Sequence, residues 1–400
     1  MIKGTIQWLL ISCLVGALAG TASAGFLAAL DYITHTRLEN PWLLFLLPFA
    51  GVLIAFLYSR YGKGTEAGNN LIIDEIHSPT KVIPLRMTPL VLLGTLVTHL
   101  FGGSAGREGT AVQMGASLSD QLTHLFKFDS GKRKILLMAG ISAGFSSVFG
   151  TPLAGAVFGL EVLSVGRLKY AALLPCFASA IIADRITLAW GIHHTIYNVS
   201  NIPPTTAANL AWCLVAGVIF GLTAWGFSVG IHHVSRTFKK ALANPLLRTF
   251  VGGILIIVLT ALVQTERYLG LGIPVIVESF QHHVAPYDFL LKTIFTIITL
   301  GSGFKGGEVT PLFFIGATLG NALAWILPLP VSLLAGMGFV AVFAGAANTP
   351  LACTLMAMEL FGAGPGVFCA LACVMAYLFS GQKGIYHSQR IEEHKHAQEN

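Results

Sequence analysis

Charged side chains are scarce in this chain. Asp, Glu, Lys and Arg together make up 10% of its 400 residues, whereas a soluble domain carries about a quarter. Hydrophobic residues reach 54% and the mean hydropathy is +0.73, which excludes a soluble tandem enzyme. Cysteine is sparse as well. Cys13, Cys176, Cys213, Cys353, Cys369 and Cys373 sit in apolar runs without zinc or redox spacing, so they read as packing residues and no metal site is expected. The histidines, among them His99, His124, His193, His194, His282 and His283, show no ligand spacing and read as loop or interface residues. No nucleophile stands beside a base, so catalysis and a cofactor are not expected.

What is present is apolar length. Runs such as Gln7–Leu30, Leu136–Leu163, Ala171–Ile192, Leu210–Val229 and Phe250–Val263 reach or approach the roughly 20 residues that cross a bilayer. Met87–Phe101, Phe289–Leu300, Pro311–Leu327, Val331–Ala347 and Val367–Phe379 are shorter or broken by Gly and Pro, which predicts tilted, re-entrant and half-spanning helices. The chain is an all-α polytopic membrane protein embedded in a lipid bilayer. Met1-Ile-Lys3 and Ala22-Ser-Ala24 resemble a signal peptide and its cleavage site. The apolar run continues to Leu30, so a retained first helix is expected. The basic loops (Lys127 with Lys132–Lys134, Arg236 with Lys239 and Lys240, Arg390 with Lys395) account for much of the net charge of +6. In a membrane chain such loops set topology rather than bind nucleic acid.

The chain repeats itself. Gly150-Thr-Pro-Leu-Ala-Gly-Ala-Val-Phe-Gly-Leu-Glu161 matches Asn348-Thr-Pro-Leu-Ala-Cys-Thr-Leu-Met-Ala-Met-Glu359. Gly140, Ala143 and Phe145 pair with Gly338, Ala341 and Phe343, and Glu108-Gly-Thr110 pairs with Glu308-Val-Thr310. The expected organisation is a first membrane repeat over 1–192, a linker over 193–208, a second repeat over 209–381 and a polar tail over 382–400. The tail reads as disordered or a short helix. Glu161 and Glu359 hold equivalent positions, which favours a shared role at helix ends or at the repeat interface.

Three glycine-rich junctions stand where a polar loop meets an apolar helix: Gly62–Ile73, Gly102–Gly115 and Gly301–Gly316. Each offers backbone N–H groups and a positive helix end to an anion. Pro311 suits the first turn of a helix, where its missing N–H is not needed. Glu108 lies inside the second junction. An ionisable group at membrane depth is costly and marks an ion or proton pathway. Glu308, in the third, either lines that pathway, carries a proton or pairs with Lys305. Phe313 and Phe314 fit either ring-edge contact with an ion or ordinary packing.

Gly106-Arg-Glu-Gly-Thr110, Gly306-Gly-Glu-Val-Thr-Pro311 and the two Thr-Pro-Leu-Ala segments resemble the CLC family of anion channels and antiporters over essentially the whole chain. The resemblance implies two inverted repeats and a homodimer with one anion pathway per subunit. It implies Glu108 as the gating and proton-coupling glutamate, and Tyr386 as the pore tyrosine. Gly68-Asn69-Asn70 replaces the family's usual Gly-Ser-Gly, Thr110 replaces a proline, and Glu308 replaces a hydrophobic residue. These departures resemble the fluoride-exporting branch, a fluoride/proton antiporter of the bacterial cytoplasmic membrane that confers fluoride resistance. The alternative within the same fold is a chloride or nitrate exchanger or a passive channel.

Fluoride is small, strongly hydrated and a strong acceptor, so its site needs good donors. The Asn69 amide offers two N–H groups where serine offers one hydroxyl, although Asn69 also suits a helix cap. The expected anion-binding set is Gly68, Asn69, Asn70, Arg107, Gly109, Thr110, Glu308, Val309, Thr310 and Tyr386. The inner glutamate that relays protons in chloride exchangers is replaced here by Val162.

Overall fold

The computed structural model describes residues 2–395, nearly all of them helical or in short connections. In the first half the helices are α1 (Ile2–Glu39), α2 (Leu47–Tyr61), α3 (Asn69–His77), α4 (Met87–Leu100), α5 (Glu108–Leu125), α6 (Ser130–Phe149), α7 (Pro152–Glu161) and α8 (Leu173–Ala189). In the second they are α9 (Ala207–Ala241), α10 (Pro245–Val263), α11 (Ile273–Gln281), α12 (Asp288–Gly301), α13 (Val309–Leu323), α14 (Val331–Ala347), α15 (Pro350–Phe361) and α16 (Gly366–Phe379). The two series run in parallel: long α1 and α9, nine-residue α3 and α11, fourteen-residue α4 and α12.

Among the described residues, five segments are long and apolar enough to cross a membrane: Gly4–Glu39, Pro41–Tyr61, Tyr170–Ala189, Ala207–Ala241 and Pro245–Val263. Pro41–Tyr61 adds a crossing to the runs expected from sequence. Its prolines stand at segment starts, where they interrupt nothing. The run Leu136–Leu163 is split into α6 and α7 at Gly150-Thr151-Pro152. α4, α7 and α13–α16 are 10–17 residues long, roughly 15–26 Å, too short for a 30 Å hydrocarbon core. α1 passes unbroken through Ala22–Ala24, where Ser147 Oγ donates to Ser23 Oγ at 2.7 Å.

The repeats are inverted about a common axis, and three pairs of contacts show it. Gly106 and Gly307, in the loops before α5 and α13, exchange two backbone hydrogen bonds of 2.6 and 2.8 Å in an antiparallel bridge. Glu161 at the end of α7 accepts from the first amides of α15, Leu351 N and Ala352 N, at 3.0 and 2.8 Å. Glu359 in α15 returns the same bonds to Leu153 N and Ala154 N of α7 at 2.9 and 2.8 Å. Both glutamates therefore satisfy orphan amides of a helix start, the structural role their equivalence suggested. Phe145 and Phe343 lie face to face near the same axis, centroids 6.2 Å apart.

The tail differs from expectation. Arg390–Ile391 forms a short parallel strand, β2, beside Ser164–Val165, β1, and Ile385 and Tyr386 are buried. A disordered or helical tail would leave these apolar side chains exposed. Instead Ile385 N bonds Ala346 O and Arg390 N bonds Leu163 O. The part of the tail beyond residue 395 lies outside the described residues.

Candidate functional site

The glycine junctions converge where the repeats meet. Gly106 and Gly307 have no side chain to separate their strands, so the starts of α5 and α13 are drawn together. Glu108 is the first residue of α5, yet its fully buried carboxylate lies at the start of α13. Thr310 N donates to Oε2 at 3.0 Å, Thr310 Oγ1 lies 2.6 Å from both carboxylate oxygens, and Arg107 N donates to Oε2 at 3.2 Å. A negative side chain thus occupies the positive end of a helix, the place where a free anion would bind. The Arg107 guanidinium stands 3.6 Å from Oε1, too far for a direct hydrogen bond.

On one side of Glu108 lies a cavity of about 150 Å³ lined by Gly68, Asn69, Gln113, Lys305, Glu308 and Tyr386, among others. Gly68 opens α3 with a positive φ of 59°, which turns the next residue, Asn69, inward. Asn69 makes no capping bond at this helix start. Its amide nitrogen abuts Gly109, where a β-carbon would lie 3.0 Å from Nδ2. On the other side is a narrow space of about 10 Å³ bordered by Arg107, Glu108, Phe149, His194, Tyr197 and Phe313. Glu108 lines the narrow space, and the next residue, Gly109, abuts Asn69 of the wide one.

Several expected residues lie elsewhere. Asn70 turns away from the anion position, and its Oδ1 accepts from Ser388 N at 3.1 Å. The Thr110 hydroxyl is 2.6 Å from Thr95 Oγ1 on α4. Val309, fully buried, opens α13 and contributes backbone rather than side chain. Glu308 and Lys305 form no ion pair within 4 Å among the described residues, and the Lys305 ammonium sits over the Tyr58 ring at 4.0 Å. Phe314 is ordinary packing beneath Lys292, whereas Phe313 reaches the narrow compartment.

The sequence pairing of Glu108 with Glu308 is off by one residue. The Gly106–Gly307 bridge sets the register, so Glu108 corresponds to Val309 and Glu308 to Arg107. One residue on a helix is a rotation of roughly 100°, and the inversion carries Arg107 and Glu308 to opposite compartments. Sequence reasoning also passed over Gln113, one turn beyond Gly109 on the face of α5 that meets Gly68. The i, i+4 spacing was the available signal. His194 had no such signal, because a long connection brings it to Glu108.

Residues 50–381 match the family model described as voltage gated chloride channel. The chain belongs to the CLC family. It is 55% identical, over 98% of its length and 88% of the relative's, to a chloride/fluoride channel protein of Pseudomonas syringae pv. tomato. It is 25% identical to an H+/Cl− exchange transporter of Cronobacter sakazakii, over 96% of this chain and 89% of that one. Among solved structures, a CLC-type fluoride/proton antiporter superimposes with a TM-score of 0.94 at 36% identity, covering 97% of this chain and 98% of that one. A slow cyanobacterial Cl−/H+ antiporter shares the fold, with a TM-score of 0.83 at 21% identity, 95% of this chain and 96% of that one. CLC proteins are channels and transporters, so the chain has a transport fold.

Proposed function

We propose that this CLC protein exports fluoride across the bacterial cytoplasmic membrane in exchange for protons. The observation that carries the reading is the Glu108 carboxylate bound by Thr310 at the start of α13. An internal anion and a transported one compete for one site, and protonation removes the charge that holds the internal one there. Fluoride export coupled to proton entry follows from that competition. Asn69 beside Gly109 supplies N–H donors suited to fluoride, and the likeness to a fluoride/proton antiporter and to a chloride/fluoride channel protein points the same way. Glu308, Gln113 and Tyr386 line the wide cavity, from which fluoride would approach that site.

The basic segments orient the chain. Arg390 bonds Ser78, Lys134 bonds His77, and Arg167 and Lys169 pair with Glu392; the β1–β2 pairing and the His77–Leu163 bond gather them on one face. By the positive-inside rule that face is cytoplasmic. The wide cavity then opens inward and the narrow space outward. Two inverted repeats (1–192 and 209–381, joined by 193–208) with the tail 382–400 form one subunit of a homodimer, each subunit with its own pathway.

The test is fluoride against chloride efflux from proteoliposomes with the pH recorded. Fluoride flux is expected to exceed chloride flux and to drive protons the opposite way, and Glu108→Gln is expected to abolish the proton movement. A flux that ignores the pH gradient in the wild type identifies a passive channel. Chloride flux that is equally fast and proton-coupled identifies a chloride exchanger.

A further inference from the structure

The narrow outer space contains a histidine that no transport step above uses. His194 lies in the non-helical connection between α8 and α9. Its Nδ1 is 3.1 Å from Val148 O. A carbonyl only accepts, so Nδ1 carries the hydrogen and Nε2 keeps its lone pair. Nε2 is shielded from solvent, has no protein partner and borders the same space as Glu108.

A second observation shows that the fold makes room for this ring. Gly150 is left-handed, φ 70°, and a β-carbon there would overlap the His194 imidazole. The repeat-equivalent residue is Asn348, also left-handed at φ 58°. The backbone conformation alone therefore does not demand glycine. What distinguishes position 150 is the imidazole packed on it.

We propose that His194 Nε2 is the acceptor that receives the carboxyl O–H of protonated Glu108 on the external side. Resting on the antiport reading, this names the residue that sets the external proton affinity of the exchange. The cavity is about the size of one water, so the bond is direct or passes through a single water. An acceptor with no proton of its own on that atom favours the carboxyl over the carboxylate. It pulls Glu108 away from Thr310 only once the proton is bound. The proton itself comes from the external solution, and no bond other than that O–H is made or broken.

The charged and titratable groups around the ring are Arg107 and Glu108 at the start of α5, with His193 and Tyr197 on its own segment. α11, α13 and α15 add no charge at the cavity. Burial first, and the Arg107 charge second, push His194 down to about 4. The ring is therefore neutral, with its lone pair free, at neutral and mildly acidic pH.

The experiment is the external-pH profile of fluoride/proton exchange in proteoliposomes. His194→Asn keeps a donor near Val148 O and removes the acceptor. His194→Gln extends a polar atom to the Nε2 position. Gly150→Asn keeps the histidine but evicts its ring, with a residue that tolerates a left-handed backbone. H194N and G150N are expected to move the half-maximal pH acidic by roughly one unit, the size of one buried hydrogen bond, while H194Q stays near the wild type. Profiles of H194N or G150N that superimpose on the wild type overturn the inference, and so does an H194Q profile displaced as far as that of H194N. A wild type whose flux moves no protons overturns the antiport reading instead, and that is seen before any variant is compared.

Discussion

Thr310 is the residue on which the seated Glu108 depends most. Its N–H and hydroxyl both reach the carboxylate, and hydrogen bonds to a charged acceptor contribute more than neutral ones, roughly 1.5–3 kcal/mol each. Thr310→Val removes the hydroxyl at nearly constant volume and leaves the backbone amide. We expect the coupled exchange rate at fixed pH to fall about tenfold or more, read from proteoliposome fluoride efflux, with Thr310→Ser close to the wild type. A valine variant as fast as the wild type would show that the helix end alone holds the carboxylate. The residue scale also explains the misplaced expectations. Asn70 and Thr110 have the right chemistry and lie one position from residues that do face the site, but their side chains point to Ser388 and Thr95. Chemistry by residue type was legible in the sequence, whereas side-chain direction depends on helix phase.

At the scale of elements, short helices with paired starts dominate. α7 and α15 begin with Thr-Pro, so their first amides lack intrahelical partners, and each is satisfied by a glutamate from the other helix. Removing either carboxylate strands two amides. Glu161→Ala and Glu359→Ala are each expected to destabilise the protein by roughly 1–3 kcal/mol, seen as a lower thermal aggregation midpoint in detergent, with the Gln variants milder. Glu161→Ala should cost more, because Glu161 is more deeply enclosed and water cannot substitute. Equal and negligible shifts would mean that lipid or water satisfies these amides. The crossings of α5 with α6 and α13 with α14 also mirror each other, with Gly115 packed on Gly140 and Gly316 on Gly338. The repeated glycines were visible as sequence matches. Their partners were not, because a helix start or a glycine in a string does not name the backbone that closes on it.

The whole molecule is tied together by its tail. Gln389 Nε2 donates to Val162 O at the end of α7 and to Ala347 O at the end of α14, each at 2.8 Å, so one amide joins both repeats. Asn70 holds Ser388 and Ala346 O holds Ile385 N, one on each side of Tyr386, which lines the wide cavity. Gln389→Ala is expected to loosen this strap, raising proteolytic cleavage after Lys383 in inverted vesicles and partly uncoupling fluoride from proton flux. Unchanged cleavage would place the anchor elsewhere, in β2 and the Glu392 pairs. Those pairs are not a pH device. The Lys169 and Arg167 bonds hold Glu392 down to about 2, so their contribution is present above the ordinary carboxylate range and is lost only as the pH falls through about 2. Salt weakens them first.

Hydropathy, the internal repeat and three glycine-rich junctions belong to the linear chain, and they were enough to name the fold class and, by resemblance, the inverted halves, and to single out Glu108 as a carboxylate at a glycine-rich junction. These are properties of composition and spacing, which survive without coordinates. The partner of Glu108, the one-residue register between the repeats, the strap at Gln389 and the arrival of His194 over Gly150 are properties of the closed fold. Each joins segments far apart in sequence, or turns on the rotation between neighbouring helical residues. No local pattern records which backbone will be near, so only packing brings Thr310 and His194 around one carboxylate.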